Sequence, residues 1–216
     1  MKILFIGNSY TYYNDMPSLF ETLARENKRD VTVDSVTVGG RRLVENLDAR
    51  DVHGAKIRKL LENNEYDILF LQEQSYLALV DYEKFERGVV GLSELVGARR
   101  TLLYATWGRK SGSELLGEYG WTSSQMGADL HAAYTKAAKS CFGEVSAVGR
   151  AFADVNENAA QINLYDPDLS HPSYLGTCLG VLVHYKTVFG EMPDKTESLG
   201  LRDEDEKILL AAARRI

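Results

Sequence analysis

Five short runs of branched and aromatic apolar residues, at 2–6, 31–38, 66–71, 101–105 and 144–148, alternate along this chain with longer segments of helical spacing. The run at 66–71 (YDILFL) is apolar nearly throughout, as a parallel strand covered on both faces must be. The run at 31–38 instead alternates, with Val31 and Val33 against Thr32 and Asp34. Strand followed by helix, repeated five times, predicts an open parallel sheet with helices on both sides. The expected fold class is therefore α/β: a three-layer α/β/α sandwich on a five-stranded parallel sheet, flavodoxin-like. No linker, repeat or low-complexity segment interrupts it, so residues 1–216 are expected to form one domain.

The intervening helices are expected from about 15, at 43–63, 82–96 and 123–141, from about 150, and at 173–189 and 203–215. Asp15 is the expected cap of the first, with Pro17 in its first turn and Leu19, Phe20 and Leu23 on its apolar face.

Composition narrows the possible partners. The 25 Lys and Arg against 31 Asp and Glu give a net charge of −6. No basic stripe exists to displace phosphate counterions, so no nucleic-acid partner is expected. The two cysteines, Cys141 and Cys178, form no CxxC and no zinc framework. The first apolar stretch after Lys2 is four residues, and the longest, 208–213, is six. Both are shorter than a signal-peptide core or a membrane span. A cytoplasmic protein with no membrane partner is expected; its oligomeric state is not legible here.

In an open α/β sheet, ligands bind beyond the carboxyl ends of the strands, which directs attention to the residues that follow each one. After the first come Gly7-Asn8-Ser9-Tyr10-Thr11. Ser9 is placed to expose its hydroxyl, although a turn or helix cap would use the same residues. No G-x-G-x-x-G is present, which excludes a dinucleotide fingerprint. After the second come Gly39-Gly40-Arg41, where backbone N–H groups can approach a ligand. After the third come Gln72-Glu73-Gln74-Ser75, whose carboxamides can donate to a developing oxyanion. After the fourth comes Trp107, a candidate aromatic wall with Tyr10, Tyr12, Tyr13 and Tyr76.

The segment Asp166-Pro167-Asp168-Leu169-Ser170-His171-Pro172 carries the most chemistry. A nucleophilic serine needs a neighbouring base, and that base needs a carboxylate to fix its tautomer. Asp168 and His171 supply both from one proline-bounded loop, unless Asp168 only caps the helix that follows. The other histidines lack such a partner: His53 lies on a basic helix face, His131 in mid-helix and His184 in an apolar helix. None has a second ligand at metal spacing, so neither a metal nor a cofactor is expected.

Taken in order, serine, glycine, carboxamide and Asp-x-x-His resemble the SGNH (GDSL-type) hydrolase superfamily over nearly the whole chain. The resemblance implies that Ser9 is the nucleophile, His171 the base and Asp168 its orienter. It also implies an oxyanion hole made by Ser9, Gly40 and Gln74. Asn8, Tyr10, Gln72 and Trp107 are candidate substrate contacts. Two departures stand out. The usual G-D-S reads G-N-S, and the usual G-x-N-D reads Gln72-Glu73-Gln74-Ser75, which leaves Gln74 or Gln72 as the third donor. Such a divergent branch is similar to sialate-type O-acetylesterases more than to lipases. The implied activity is hydrolysis of a small acyl ester, acetyl foremost, with a carbohydrate as a candidate carrier. A thioesterase or lysophospholipase, a non-catalytic ligand-binding domain and a flavodoxin-like anion binder are the alternatives.

Overall fold

A computed structural model describes residues 1–216. Its sheet contains β1 (Lys2–Gly7), β2 (Thr32–Thr37), β3 (Ile68–Leu71), β4 (Arg100–Tyr104) and β5 (Glu144–Ser146), ordered β2-β1-β3-β4-β5 and parallel throughout. The strand pleat divides the core. Ile3, Phe5, Ile68, Phe70, Leu102 and Tyr104 point to one face, and Leu4, Ile6, Leu69, Leu71 and Leu103 to the other. All of these are buried, at roughly 1.5–3 kcal/mol of burial free energy for each large apolar side chain. Phe5 and Phe70 stack across β1 and β3 with ring centres 4.4 Å apart.

Helices α1 (Ser9–Tyr12), α2 (Met16–Glu26), α3 (Val52–Leu61), α4 (Leu77–Val80) and α5 (Tyr82–Val96) occupy the first half of the chain. Helices α6 (Glu114–Tyr119), α7 (Ser123–Ser140), α8 (Val148–Asn158), α9 (Tyr174–Phe189) and α10 (Asp203–Arg215) complete it. One face of the sheet is covered by α2, α8, α9 and α10, the other by α3, α5 and α7. α9 is the most deeply buried helix and is apolar nearly all round. No helix is long and apolar enough to cross a membrane.

The expected helix at 43–63 is two elements. A 3₁₀ segment, Leu43–Leu47, stops before α3, because Asp51 caps α3 by accepting the His53 N–H at 2.9 Å. Gly54 lies so close to Asp48 that a Cβ would sit 2.0 Å from its carbonyl oxygen. The strand expected at 66–71 begins at Ile68, and β5 ends at Ser146 with α8 starting at Val148. Asp15 does precede α2, but with φ +52° and its carboxylate taken by the Ser18 hydroxyl, not by a backbone N–H. Helices α1, α4 and α6 are four to six residues long, too short to leave a helical period.

The strand order reverses direction at β1, the switch point where open α/β sheets bind ligands. The loops that leave β1, β2 and β3 are adjacent there.

Candidate active site

At the end of β1 the chain must turn sharply between its neighbours. A Cβ on Gly7 would lie 2.4 Å from Thr11 Oγ1 and 2.8 Å from Gln72 Oε1, so only glycine fits. Asn8 then caps α1, its Oδ1 accepting the Tyr10 N–H at 3.2 Å. This puts the half-buried Ser9 at the first position of a helix. Its N–H, like the first in any helix, has no intrahelical acceptor.

The loop before α9 brings His171 to Ser9. The Tyr165–Pro172 bridge closes it, and the Asp166 N–H donates to the His171 carbonyl at 2.9 Å. One Asp168 oxygen accepts the N–H groups of Ser170 (3.0 Å) and His171 (2.9 Å), and the other bonds His171 Nδ1. The far nitrogen, Nε2, stands 2.8 Å from Ser9 Oγ. Partial burial opposes the charge on Asp168, but the His171 ring and the two loop N–H groups outweigh it and hold the carboxyl below its usual range. Asp168 therefore stays ionised and dictates that Nδ1 carries the proton, leaving Nε2 free to accept one.

The loops after β2 and β3 complete the surround. Gly40 has φ +69° and is exposed, and its N–H donates to no group of the protein. Asn8 Nδ2 donates to the Arg41 carbonyl at 3.1 Å, tying this loop to the Ser9 turn. Gln74 Oε1 accepts the Tyr76 N–H at 3.2 Å, while its NH2 donates to nothing in the chain. Gln72 differs: its Oε1 accepts from Asn8 N–H (3.0 Å) and Thr11 Oγ1 (2.9 Å), and its NH2 is bound to the Glu73 carbonyl.

The structure thus brings Ser9, Asp168 and His171 together, but it corrects the expected substrate contacts. Asn8, Tyr10, Gln72 and Trp107 are each at most 3% exposed. Asn8 and Gln72 spend their polar atoms on backbone and side-chain partners. Tyr10 and Trp107 stack on each other at 4.8 Å, and Trp107 stacks on Phe152 at 4.0 Å. Tyr10 also meets the Ser170 hydroxyl, and Trp107 Nε1 donates to the Ser170 carbonyl at 3.1 Å. These aromatics are the buried bed of the His171 loop, not an exposed wall beside Ser9, and Trp107 also borders the groove behind that loop.

Glu73 was not singled out in the sequence, yet it links two loops. Its buried carboxylate accepts the Gln74 N–H at 2.7 Å and the Leu43 N–H at 3.3 Å. Burial pushes this carboxyl up to about 7. The only available signal is its place two residues after a fully buried strand, within the polar run Gln72-Glu73-Gln74-Ser75. The buried His184 is a different case: it bonds Ser146 Oγ at 2.7 Å, and burial lowers its pKa to about 3. It is a neutral core residue. No group of three or more His, Cys, Asp or Glu side chains converges as a metal centre would require.

A groove of about 680 Å³ lies behind the His171 loop, between Lys110, the start of α7, α8 and Asn163. Neither Ser9 nor His171 lines it. Ser9 and His171 lie instead on an open face, where the His171 side chain is 23% exposed.

The five-stranded parallel sheet with helices on both faces defines a class of α/β protein that known structures share. A protein of Slackia heliotrinireducens assigned as an SGNH hydrolase is 30% identical over 87% of this chain and 98% of its own, with a TM-score of 0.76. The chain belongs to the SGNH hydrolase superfamily. A DUF4886 family protein from Bacteroides uniformis superposes over 100% of this chain and 93% of its own, with a TM-score of 0.83 at 16% identity. The acetyl xylan esterase AlAXEase shares the fold over 88% of this chain and 100% of its own, with a TM-score of 0.61 at 14% identity. No protein-family model matches the chain, and no curated protein does.

Proposed function

We propose that the protein is a serine ester hydrolase that removes a small acyl group, acetyl foremost, from an alcohol. The observation that carries this reading is the unbroken series Asp168–His171–Ser9, with Nε2 at 2.8 Å from the serine hydroxyl. His171 Nε2 takes the proton as Ser9 Oγ attacks the ester carbonyl carbon, and the carbonyl π pair moves to oxygen. The N–H groups of Ser9 and Gly40 and the free NH2 of Gln74 are the donors to that oxyanion. His171 then returns the proton to the leaving alcohol. Water, deprotonated by the same nitrogen, releases the acid and regenerates Ser9.

Gln74 fills the third-donor role better than Gln72, because every polar atom of Gln72 is already engaged in holding the Ser9 turn. The open face around Ser9 suits a short acyl group, since a long chain needs an apolar channel to cover it. The fold is shared with an acetyl xylan esterase, which agrees with an acetylated carbohydrate as substrate.

The test is turnover of p-nitrophenyl acetate by the wild type and by Ser9→Ala. The expected result is a loss of at least ~10³-fold in kcat for the variant. Equal rates would remove Ser9 from the chemistry.

A further inference from the structure

The turn that follows the nucleophile helix has an unusual build. Tyr13, Asn14 and Asp15 form a 3₁₀ turn in which Asn14 (φ +51°) and Asp15 (φ +52°) are both left-handed. Non-glycine residues rarely take that conformation, and two in succession persist only where the surroundings impose it. Here the imposing contacts are Asn14 Nδ2 to Thr177 Oγ1 at 2.8 Å and to the Pro172 carbonyl at 3.3 Å. Pro172 is the residue after His171. The strained turn is therefore fastened to the loop that carries the base.

Its effect is to swing the Tyr13 ring over His171. The two rings lie 4.2 Å apart, only 13° from parallel. Tyr10 meets the same imidazole edge-on at 5.3 Å and 71°. With Asp168 on Nδ1, the imidazole is held from one edge and two aromatic sides, while Nε2 alone faces Ser9.

We propose that Tyr13 is a positioning residue for His171, held over the imidazole by the Asn14–Asp15 turn, and that its ring face stabilises the imidazolium formed as Ser9 loses its proton. This rests on the triad reading above. When the proton moves from Ser9 Oγ to Nε2 the imidazole becomes a cation, and an aromatic face attracts a cation lying over it. The face, not the hydroxyl, does this, so phenylalanine should replace Tyr13 and an aliphatic residue should not.

The experiment compares Tyr13→Phe and Tyr13→Leu in p-nitrophenyl acetate kinetics and in the proton NMR spectrum of the imidazole. Tyr13→Phe is expected to keep kcat within about twofold of wild type, and Tyr13→Leu to lose about tenfold in kcat with KM unchanged. The His171 ring protons should be shifted upfield in wild type and Tyr13→Phe, and should return toward their free position in Tyr13→Leu. A leucine variant with wild-type kcat, or a phenylalanine variant as impaired as the leucine one, would overturn the proposal. So would the lack of an upfield shift in the wild type. Full turnover by Ser9→Ala would instead defeat the triad reading, and the NMR comparison would still report whether the rings stack.

Discussion

The hydroxyls of Tyr10 and Ser170 meet at 2.6 Å although 160 positions separate them in the chain. One is the neighbour of Ser9 and the other the neighbour of His171, so this buried bond, with the Asn14–Pro172 contact, fixes the spacing of the two segments that carry the proposed nucleophile and base. Tyr10→Phe keeps the stack on Trp107 but leaves the Ser170 hydroxyl without this partner. The expected cost is about 1 kcal/mol of unfolding free energy, measured by urea denaturation, with a severalfold fall in kcat.

Asp168→Asn separates tautomer control from loop structure. The asparagine oxygen can still accept the N–H groups of Ser170 and His171, so stability should change little. Its NH2 would face Nδ1 and favour the tautomer with the proton on Nε2. A fall of about 10⁴-fold in kcat is expected, with a thermal melt close to wild type.

Gln72 and Gln74 should fail in different ways. Gln74→Ala removes a free donor and is expected to lower kcat by ~10²–10³-fold, with a small loss of stability, up to about 1 kcal/mol, from the Tyr76 N–H that loses its acceptor. Gln72→Leu strips acceptors from the buried Asn8 N–H and Thr11 hydroxyl, at a cost of about 1–3 kcal/mol of stability. Kinetics and denaturation on the same two variants check both statements.

Stability should also carry the mark of Glu73. Its carboxyl, facing Arg42, Glu45 and Tyr134, is raised by burial from 4.5 to about 7. Between those values the native state holds a proton that the unfolded chain releases. Its contribution therefore weakens as pH rises from about 4.5 to about 7 and levels off above, by on the order of 3 kcal/mol in total. Unfolding free energy followed across that window should show the decline in wild type and lose this component in Glu73→Gln.

Much of this arrangement was legible from residue order. The strands announced themselves because a buried parallel strand leaves a continuous apolar run, and 82–96 and 203–215 because an amphipathic helix leaves a 3.6-residue period. Ser9 could be picked out because the ends of parallel strands are where such a sheet binds ligands, and Asp168 and His171 because Asp-x-x-His in a proline-bounded loop supplies a base with its orienter. What stayed hidden depends on contacts remote in sequence. Nothing local distinguishes Gln72 from Gln74; the difference lies in which carboxamide the Asn8 and Thr11 donors reach. Trp107 and Tyr10 looked like a substrate wall because aromatics serve both roles, and only their stacking under Ser170 decides it. The left-handed pair Asn14–Asp15 leaves no sequence period at all, so the contact of Tyr13 with His171 was not foreseeable.

The central claim is that Ser9 is a nucleophile activated by His171. Exposure of the protein to a fluorophosphonate, followed by intact-mass measurement and peptide mapping, tests it most directly. The account predicts one adduct per chain, on Ser9, with none in Ser9→Ala and much slower labelling in His171→Ala. A wild type that stays unlabelled, or a Ser9→Ala variant labelled as fast as wild type, would contradict it.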